Sequence, residues 1–329
     1  MEDQVEKEYE SEIFAKYQDM SYLAYKKSAF ALDWNCNGKY LATADNTIKI
    51  YKYRNLALQK ESEVKAHSLN VETLAWHPIQ KQVLCTCSRD SVKLWKYKAR
   101  EIKMNHSYKS KADNTYLCWS PDGSQLAVGN KDNVIIFFDS ETFKPVQEMK
   151  LEDSEINEFA WDPKGSVLFV AACSKNIGYI KVYNGKNPTQ PLAQLECHRA
   201  MISTLQIDPT GKYFATGGND AMVAIWDMYE MICTDTFHSF QGIVKKLSFS
   251  NDGKYLATAT DDDFISIYNN QKRLLSYRIK QPQADQKEEK RSINIVKWHP
   301  TEMVLAYISE VKKESSREVY LTVFGEKNK

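Results

Sequence analysis

One pattern recurs seven times along this chain: an apolar run ends on a large anchor, a turn follows, and a second apolar run begins. The anchors are Trp34, Trp76, Trp119, Trp161, Ile207, Phe249 and Trp298, separated by 42, 43, 42, 46, 42 and 49 residues. A period of that length holds four short strands per unit and marks a radial repeat. One such four-stranded sheet cannot bury both faces alone, so each unit must stack on its neighbours until the array closes. The spacing therefore predicts an all-β, seven-bladed β-propeller.

The fifth unit shows the logic within a repeat. Ile202–Ile207 alternates in polarity, as expected for a strand whose two faces meet different surroundings. Asp208-Pro-Thr-Gly211 is a turn, with proline fixing φ and glycine supplying positive φ. Tyr213–Gly217 is nearly all apolar, suiting an inner strand packed on both sides, and Val223–Asp227 follows another tight turn. The turn recurs as Ser120-Pro-Asp-Gly123, Asp162-Pro-Lys-Gly165 and Ser250-Asn-Asp-Gly253, with Asn35-Cys-Asn-Gly38 a looser copy. The seventh unit, from about Ile293 to Phe324, holds three strands, so a strand near Tyr17 to Leu23 is expected to complete it and remove the open edges. The expected organisation is an acidic tail at 1–16, a propeller at 17–325 whose strand at about 17–24 completes blade 7, and a short tail at 326–329. Two polar connections, 280–291 and 310–318, read as surface loops.

Composition narrows the class. A formal charge of +1 argues against coating nucleic acid by bulk electrostatics, and 43% hydrophobic residues are ample for a large core. The acidic N-terminal stretch has no apolar core of a secretory signal, and the most apolar run, Val134–Phe138, is too short to span a bilayer. Cys36, Cys85, Cys87, Cys118, Cys173, Cys197 and Cys233 are scattered and mostly sit in strand-like runs. They read as small buried hydrophobes in a reducing compartment, the cytosol or the nucleus.

Two constellations carry chemistry. His67 and His198 each precede an anchor by nine residues, and Trp95 and Trp226 follow each histidine by 28, with Thr86/Asp90 and Thr216/Asp220 between. In WD40 repeats such a set forms a buried network: carboxylate accepts from imidazole, and the hydroxyl links imidazole to indole. Its recurrence in two units favours that structural reading over nucleophilic catalysis. Tyr25, Ser110, Glu152 and Phe240 hold the histidine position elsewhere. Cys85-Thr-Cys87 lacks a second ligand pair, and His77-Pro78 and His299-Pro300 read as turn residues, so neither a metal, another cofactor, nor a catalytic residue is expected. The second constellation is a basic run containing Lys93, Lys96, Lys98, Arg100, Lys103, Lys109 and Lys111 with Glu101 alone opposing. Tyr97 and Tyr108, interleaved, offer stacking surfaces. The run reads as a positive stripe on the outer edge of blade 2 that contacts RNA or an acidic partner, or as lysines that keep an edge strand soluble.

Beyond the WD40 pattern, several stretches resemble the THO complex subunit 3 family, the WD40 component of the transcription–export assembly. They are Cys118-Trp-Ser-Pro-Asp-Gly123 with Ala127-Val-Gly-Asn-Lys-Asp132, Asp208–Gly218, Leu247–Lys254, Val296-Lys-Trp-His-Pro300, and Ser315-Ser-Arg-Glu318 followed by Val323-Phe-Gly325. Ala127–Asp132 and the Ser315–Glu318 loop discriminate most, because the fold does not require them. The resemblance implies a nuclear, non-catalytic scaffold subunit that packs against a large helical subunit. Its assembly engages a DEAD-box RNA helicase and couples transcription to mRNA packaging and export, with no membrane and no small-molecule substrate. The Ala44-Asp-Asn-Thr-Ile48 turn and the 280–291 insertion depart from the family's pattern. Two other readings stand beside it: a peptide or histone-tail reader using the central opening, for which Asp261-Asp-Asp263 supplies an acidic spot, and a propeller that binds RNA directly.

Overall fold

A computed structural model describes residues 13–26, 28–280, 290–312 and 316–326. The tails at 1–12 and 327–329, the centre of the 280–291 connection and Ser315 of the discriminating loop lie outside the described residues. The fold is seven four-stranded antiparallel sheets, preceded by a single-turn 3-10 helix at Phe14–Lys16. In every sheet the strands follow chain order from the channel outward, except in the last.

All seven anchors end the innermost strand of their blade, from Ala31–Trp34 in blade 1 to Lys290–Trp298 in blade 7. Each rounds the turn into the second strand, where Gly38, Gly123, Gly165, Gly211 and Gly253 take φ near +70° in five of the blades. The turns also touch one another around the ring. His77 Nδ1 accepts from the amides of Ile79 and Gln80 (3.1 and 2.9 Å), and its Nε2 reaches Gly123 O of blade 3 at 3.1 Å. His299 repeats this from blade 7 to Gly38 O of blade 1, at 2.9 Å. A Cβ on Gly38 or Gly123 would lie 2.0 or 2.1 Å from those rings, so glycine is needed for space as well as for φ. The two turn histidines are thus bolts between blades.

The core is a set of apolar seams between adjacent blades rather than one central mass. The seam between blades 4 and 5, for example, joins Phe169 and Ile180 to Leu205 and Phe214. Inner strands do not pair across blades, so side chains staple them instead. Asp33 accepts from the Trp76 amide at 2.8 Å, Glu158 from the Leu205 amide at 2.9 Å, and Ser248 from the Trp298 amide at 2.9 Å.

The ring is closed by the N-terminal strand. Tyr17–Tyr25 pairs antiparallel with Arg317–Glu326 from Tyr17↔Glu326 to Tyr25↔Val319, giving blade 7 its fourth and outermost strand. Ser21 and Thr322 hydroxyls bond across it at 2.8 Å, and Tyr307 donates to Asp19 at 3.0 Å. The segment ahead of this strand also enters the body: Phe14 is fully buried between blades 6 and 7, its ring 5.1 Å from those of Tyr17 and Tyr255.

Candidate functional site

The hydrogen-bond network of blade 5 is assembled from three strands and a turn, and that of blade 2 from two strands and the loops that carry His67 and Asp90. In blade 5, His198 Nδ1 lies 2.9 Å from Asp220 Oδ1, its Nε2 2.8 Å from Thr216 Oγ1, and Trp226 Nε1 donates to the same hydroxyl at 3.0 Å. A neutral imidazole protonated at Nδ1 satisfies every bond: Thr216 donates to Nε2 and accepts from the indole. Blade 2 differs. His67 Nε2 meets Thr86 at 2.8 Å and Trp95 donates to Thr86 at 2.9 Å, but His67 Nδ1 meets Ser91 Oγ at 3.0 Å, not Asp90. Ser88 pairs with Ser91 across a two-residue turn, which leaves Asp90 outside, where it accepts from Ser91 at 3.0 Å. The expected direct contact between Asp90 and the imidazole is therefore relayed through Ser91. Burial, with Lys93 nearby, lowers the His67 pKa to about 4, so the ring is neutral near pH 7. Thr86 and Thr216 are fully buried and locked between imidazole and indole, a position from which a hydroxyl cannot meet a substrate.

Two related features go beyond the sequence reading, which placed Tyr25 at the histidine position without giving it a partner. Tyr25 takes the histidine role in blade 1, its hydroxyl 2.7 Å from Thr43 Oγ1. Lys49, Lys93 and Lys181 occupy one position in blades 1, 2 and 4, and each tethers a loop: Lys49 Nζ donates to Ala24 O at 2.5 Å, Lys93 to Ala66 O at 2.7 Å, and Lys181 to Ser154 Oγ at 2.8 Å. A lysine between apolar residues of a third strand was the available signal. Lys93 consequently leaves the basic run.

The rest of that run does not form one stripe. Lys96 and Lys98 lie on the strand Ser91–Lys98, Arg100 in the turn, and Lys103 and Lys109 on Glu101–Lys109, with Lys111 beyond it. All six are exposed, but a strand rises about 3.3 Å per residue, so Lys109 and Lys111 stand roughly 25 Å from the Arg100 turn, at the opposite face of the ring. The expected stacking surfaces are also missing. Tyr97 is buried, its hydroxyl donating to Glu61 at 2.6 Å, and Tyr108 packs edge-on to Phe138 at 4.9 Å in the seam with blade 3. The Tyr97 ring is consumed by the core, and the Tyr108 ring is half-buried against it.

The central channel holds a cavity of about 270 Å3, lined by Asp33, Thr73, Tyr116, Gln206, Lys246 and Lys297 among others. Its charges are internally matched. Asp33 of blade 1 pairs with Lys297 of blade 7 at 3.5 Å, and burial raises its pKa against the opposing pull of that lysine. Lys246 of blade 6 reaches Glu158 of blade 4 and stands 5.4 Å from the Tyr116 ring of blade 3, so one ammonium bridges the channel. Two of the three carboxylates of the acidic spot are engaged, Asp261 with Lys245 at 2.7 Å and buried Asp262 with Thr260 at 3.0 Å, while Asp263 is exposed.

Of the cysteines, Cys85 and Cys87 are buried, Cys36, Cys118, Cys173 and Cys197 are half-buried, and Cys233 is exposed, so the reading as small buried hydrophobes holds in full only for Cys85 and Cys87. Burial pushes the Cys87 and Cys197 thiols up to about 12. Among the described residues no group of three or more His, Cys, Asp or Glu side chains is placed to hold a metal ion, and no helix is long and apolar enough to cross a membrane.

Comparison with known proteins adds the following. The WD domain, G-beta repeat model matches residues 20–52 and 58–96. A model of eukaryotic translation initiation factor eIF2A matches residues 89–220 and again 155–278. Those two matches overlap, aligning one stretch twice as a repeat laid over a repeat does, and neither reaches half of the chain. THO complex subunit 3 of Arabidopsis thaliana is 32% identical over 95% of this chain and 96% of its own length. The WD repeat-containing protein AAC3 of Dictyostelium discoideum is 28% identical over 96% of this chain and 68% of its own. The target of rapamycin complex subunit wat1 of Schizosaccharomyces pombe is 25% identical over 59% of this chain and 62% of its own.

Proposed function

The chain belongs to the THO complex subunit 3 family, and from that premise we propose that it is a nuclear, non-catalytic scaffold subunit of a THO-type complex that couples transcription to mRNA packaging and export. One observation carries the reading: the similarity spans nearly the full length of both chains. Its partners are the other THO-type subunits, above all a large helical scaffold subunit, and through them a DEAD-box RNA helicase and mRNA. The ring suits that work, since a closed array of rigid sheets offers two faces and seven edges without needing a reactive centre.

Reading a peptide or histone tail through the channel is less well supported, because Asp33 and Glu158 are already paired with Lys297 and Lys246. The test is to purify the tagged chain from nuclear extract at moderate salt. Stoichiometric recovery of a large helical subunit with other THO-type subunits is the expected result. Recovery of the chain alone, or with an unrelated assembly only, sinks the proposal.

A further inference from the structure

The tip of blade 2 carries more positive charge than the fold uses. Lys96 and Lys103 stand directly opposite each other across the two outer strands, a like-charge pairing that destabilises a sheet. Lys98 opposes Glu101, and Glu101 is drawn to Lys103 at 3.1 Å. Among the described residues, Lys96 and Lys98 form no ion pair. By strand alternation these three lysines share the side of Val92 and Leu94, which faces blade 3.

On the blade 1 side a second group meets the same tip. Glu61, with a side chain 5% exposed, accepts from Tyr97 and serves both Arg100 at 3.7 Å and Lys52 at 3.9 Å. One sunken carboxylate thus answers two cations and is already bound by a phenol. Arg100 itself is 72% exposed, lifted by a two-residue turn in which Ala99 and Arg100 hold φ of +54° and +65°. These are positions that glycine or asparagine fills more cheaply.

Two exposed apolar side chains lie on this blade 1 side, across the sheet from the three lysines. Met104, opposite Trp95, is 53% exposed, and Ile79 is 63% exposed. Ile79 and Lys81 lie in the loop 77–82, which the Tyr97 amide joins through Gln82 O at 2.8 Å. This combination decides the class of ligand. Single-stranded RNA is held by aromatic faces beside a basic groove, and here Tyr97 is buried while Tyr108 is half-buried, edge-on against Phe138. Unmatched cations with apolar side chains across the sheet fit an acidic polypeptide that also buries apolar groups.

We propose that an acidic segment of a protein partner straddles the tip of blade 2, meeting Lys96, Lys98 and Lys103 on the blade 3 side and Arg100 on the blade 1 side, where its apolar side chains seat on Ile79 and Met104. The inference concerns this chain alone and stands whether or not the complex proposed above is its home.

The test uses the purified full chain and fluorescence anisotropy at about 150 mM salt. The probes are a labelled peptide of about 20 residues repeating Glu-Leu-Glu-Glu-Leu-Leu-Glu, the same peptide with serine for leucine, and an oligouridine of similar length. The leucine peptide should bind more tightly than both others, and more weakly as salt rises. Joint Lys98→Glu, Arg100→Glu and Lys103→Glu substitution should weaken it by about tenfold or more. Ile79→Ser, an exposed change that leaves the fold intact, should weaken it by about threefold or more. Lys109→Glu with Lys111→Glu, at the other face, should change nothing. Equal binding of oligouridine or the serine peptide overturns the proposal, as does an equal loss in the Lys109/Lys111 variant or no loss in the triple variant.

Discussion

At the scale of single residues, three buried histidines make stability depend on pH in a definite direction. Burial lowers the pKa of His67 to about 4 and those of His77 and His299 below the ordinary value. Each folded-state pKa therefore lies below the unfolded one, near 6.5. Between those limits the unfolded chain binds more protons, so stability is fully present above about pH 6.5 and is lost as pH falls. His67 alone should account for about 3 kcal/mol across its window. Urea unfolding at a series of pH values from about 7.5 down to 4.5 should show the midpoint falling steadily, and a flat profile above pH 5 would contradict the assignment. The sequence made His67 and His198 legible because repeat spacing places them. It left Ser91 and the bond from Tyr25 to Thr43 unread, since the direction of a two-residue turn and the reach of a phenol are properties of the folded backbone.

At the scale of elements, the strand Tyr17–Tyr25 and the Phe14 turn before it hold the ring shut. Removal of residues 1–10 should leave the melt unchanged. Removal of residues 1–24 should abolish cooperative unfolding, because it strips blade 7 of its outer strand and the adjoining seams of their cover. Phe14→Ala separates the two effects: it keeps every ladder bond and should still cost about 3–5 kcal/mol through the cavity it leaves. An undiminished melt after the longer deletion would refute the closure role. The missing fourth strand of the last unit was countable from the repeat, so the closure could be anticipated. Phe14 could not, since an isolated aromatic at the end of an acidic stretch has no periodic partner to announce it. The basic run misled for a related reason: contiguity in sequence hides that Arg100 and Lys109 end on opposite faces.

At the scale of the whole molecule, a ring of interblade seams has no privileged starting point. Glu326 pairs with Tyr17, so the described ends of the chain meet on one face. A permuted chain that joins them by a short linker and opens instead in the blade 6 turn at Asn270–Arg273 keeps every sheet and moves the closing strand from blade 7 to blade 6. It should melt cooperatively within a few degrees of the parent in a calorimeter. A chain that fails to fold would mean that the order of assembly, rather than the set of seams, selects the ring.

That order has a cost set by the pairing across blade 7. Ser21 and Thr322, which bond to each other, are separated by 301 positions. A ribosome adding about 5–20 residues per second leaves the first strand without its mate for roughly 15–60 seconds. During that interval the exposed edges of Tyr17–Tyr25 and its apolar Met20 and Leu23 are open to any neighbouring nascent chain. The strand Arg317–Glu326 completes the sheet that Tyr17–Tyr25 began, so in every newly made copy that edge has to be guarded until Arg317–Glu326 has emerged.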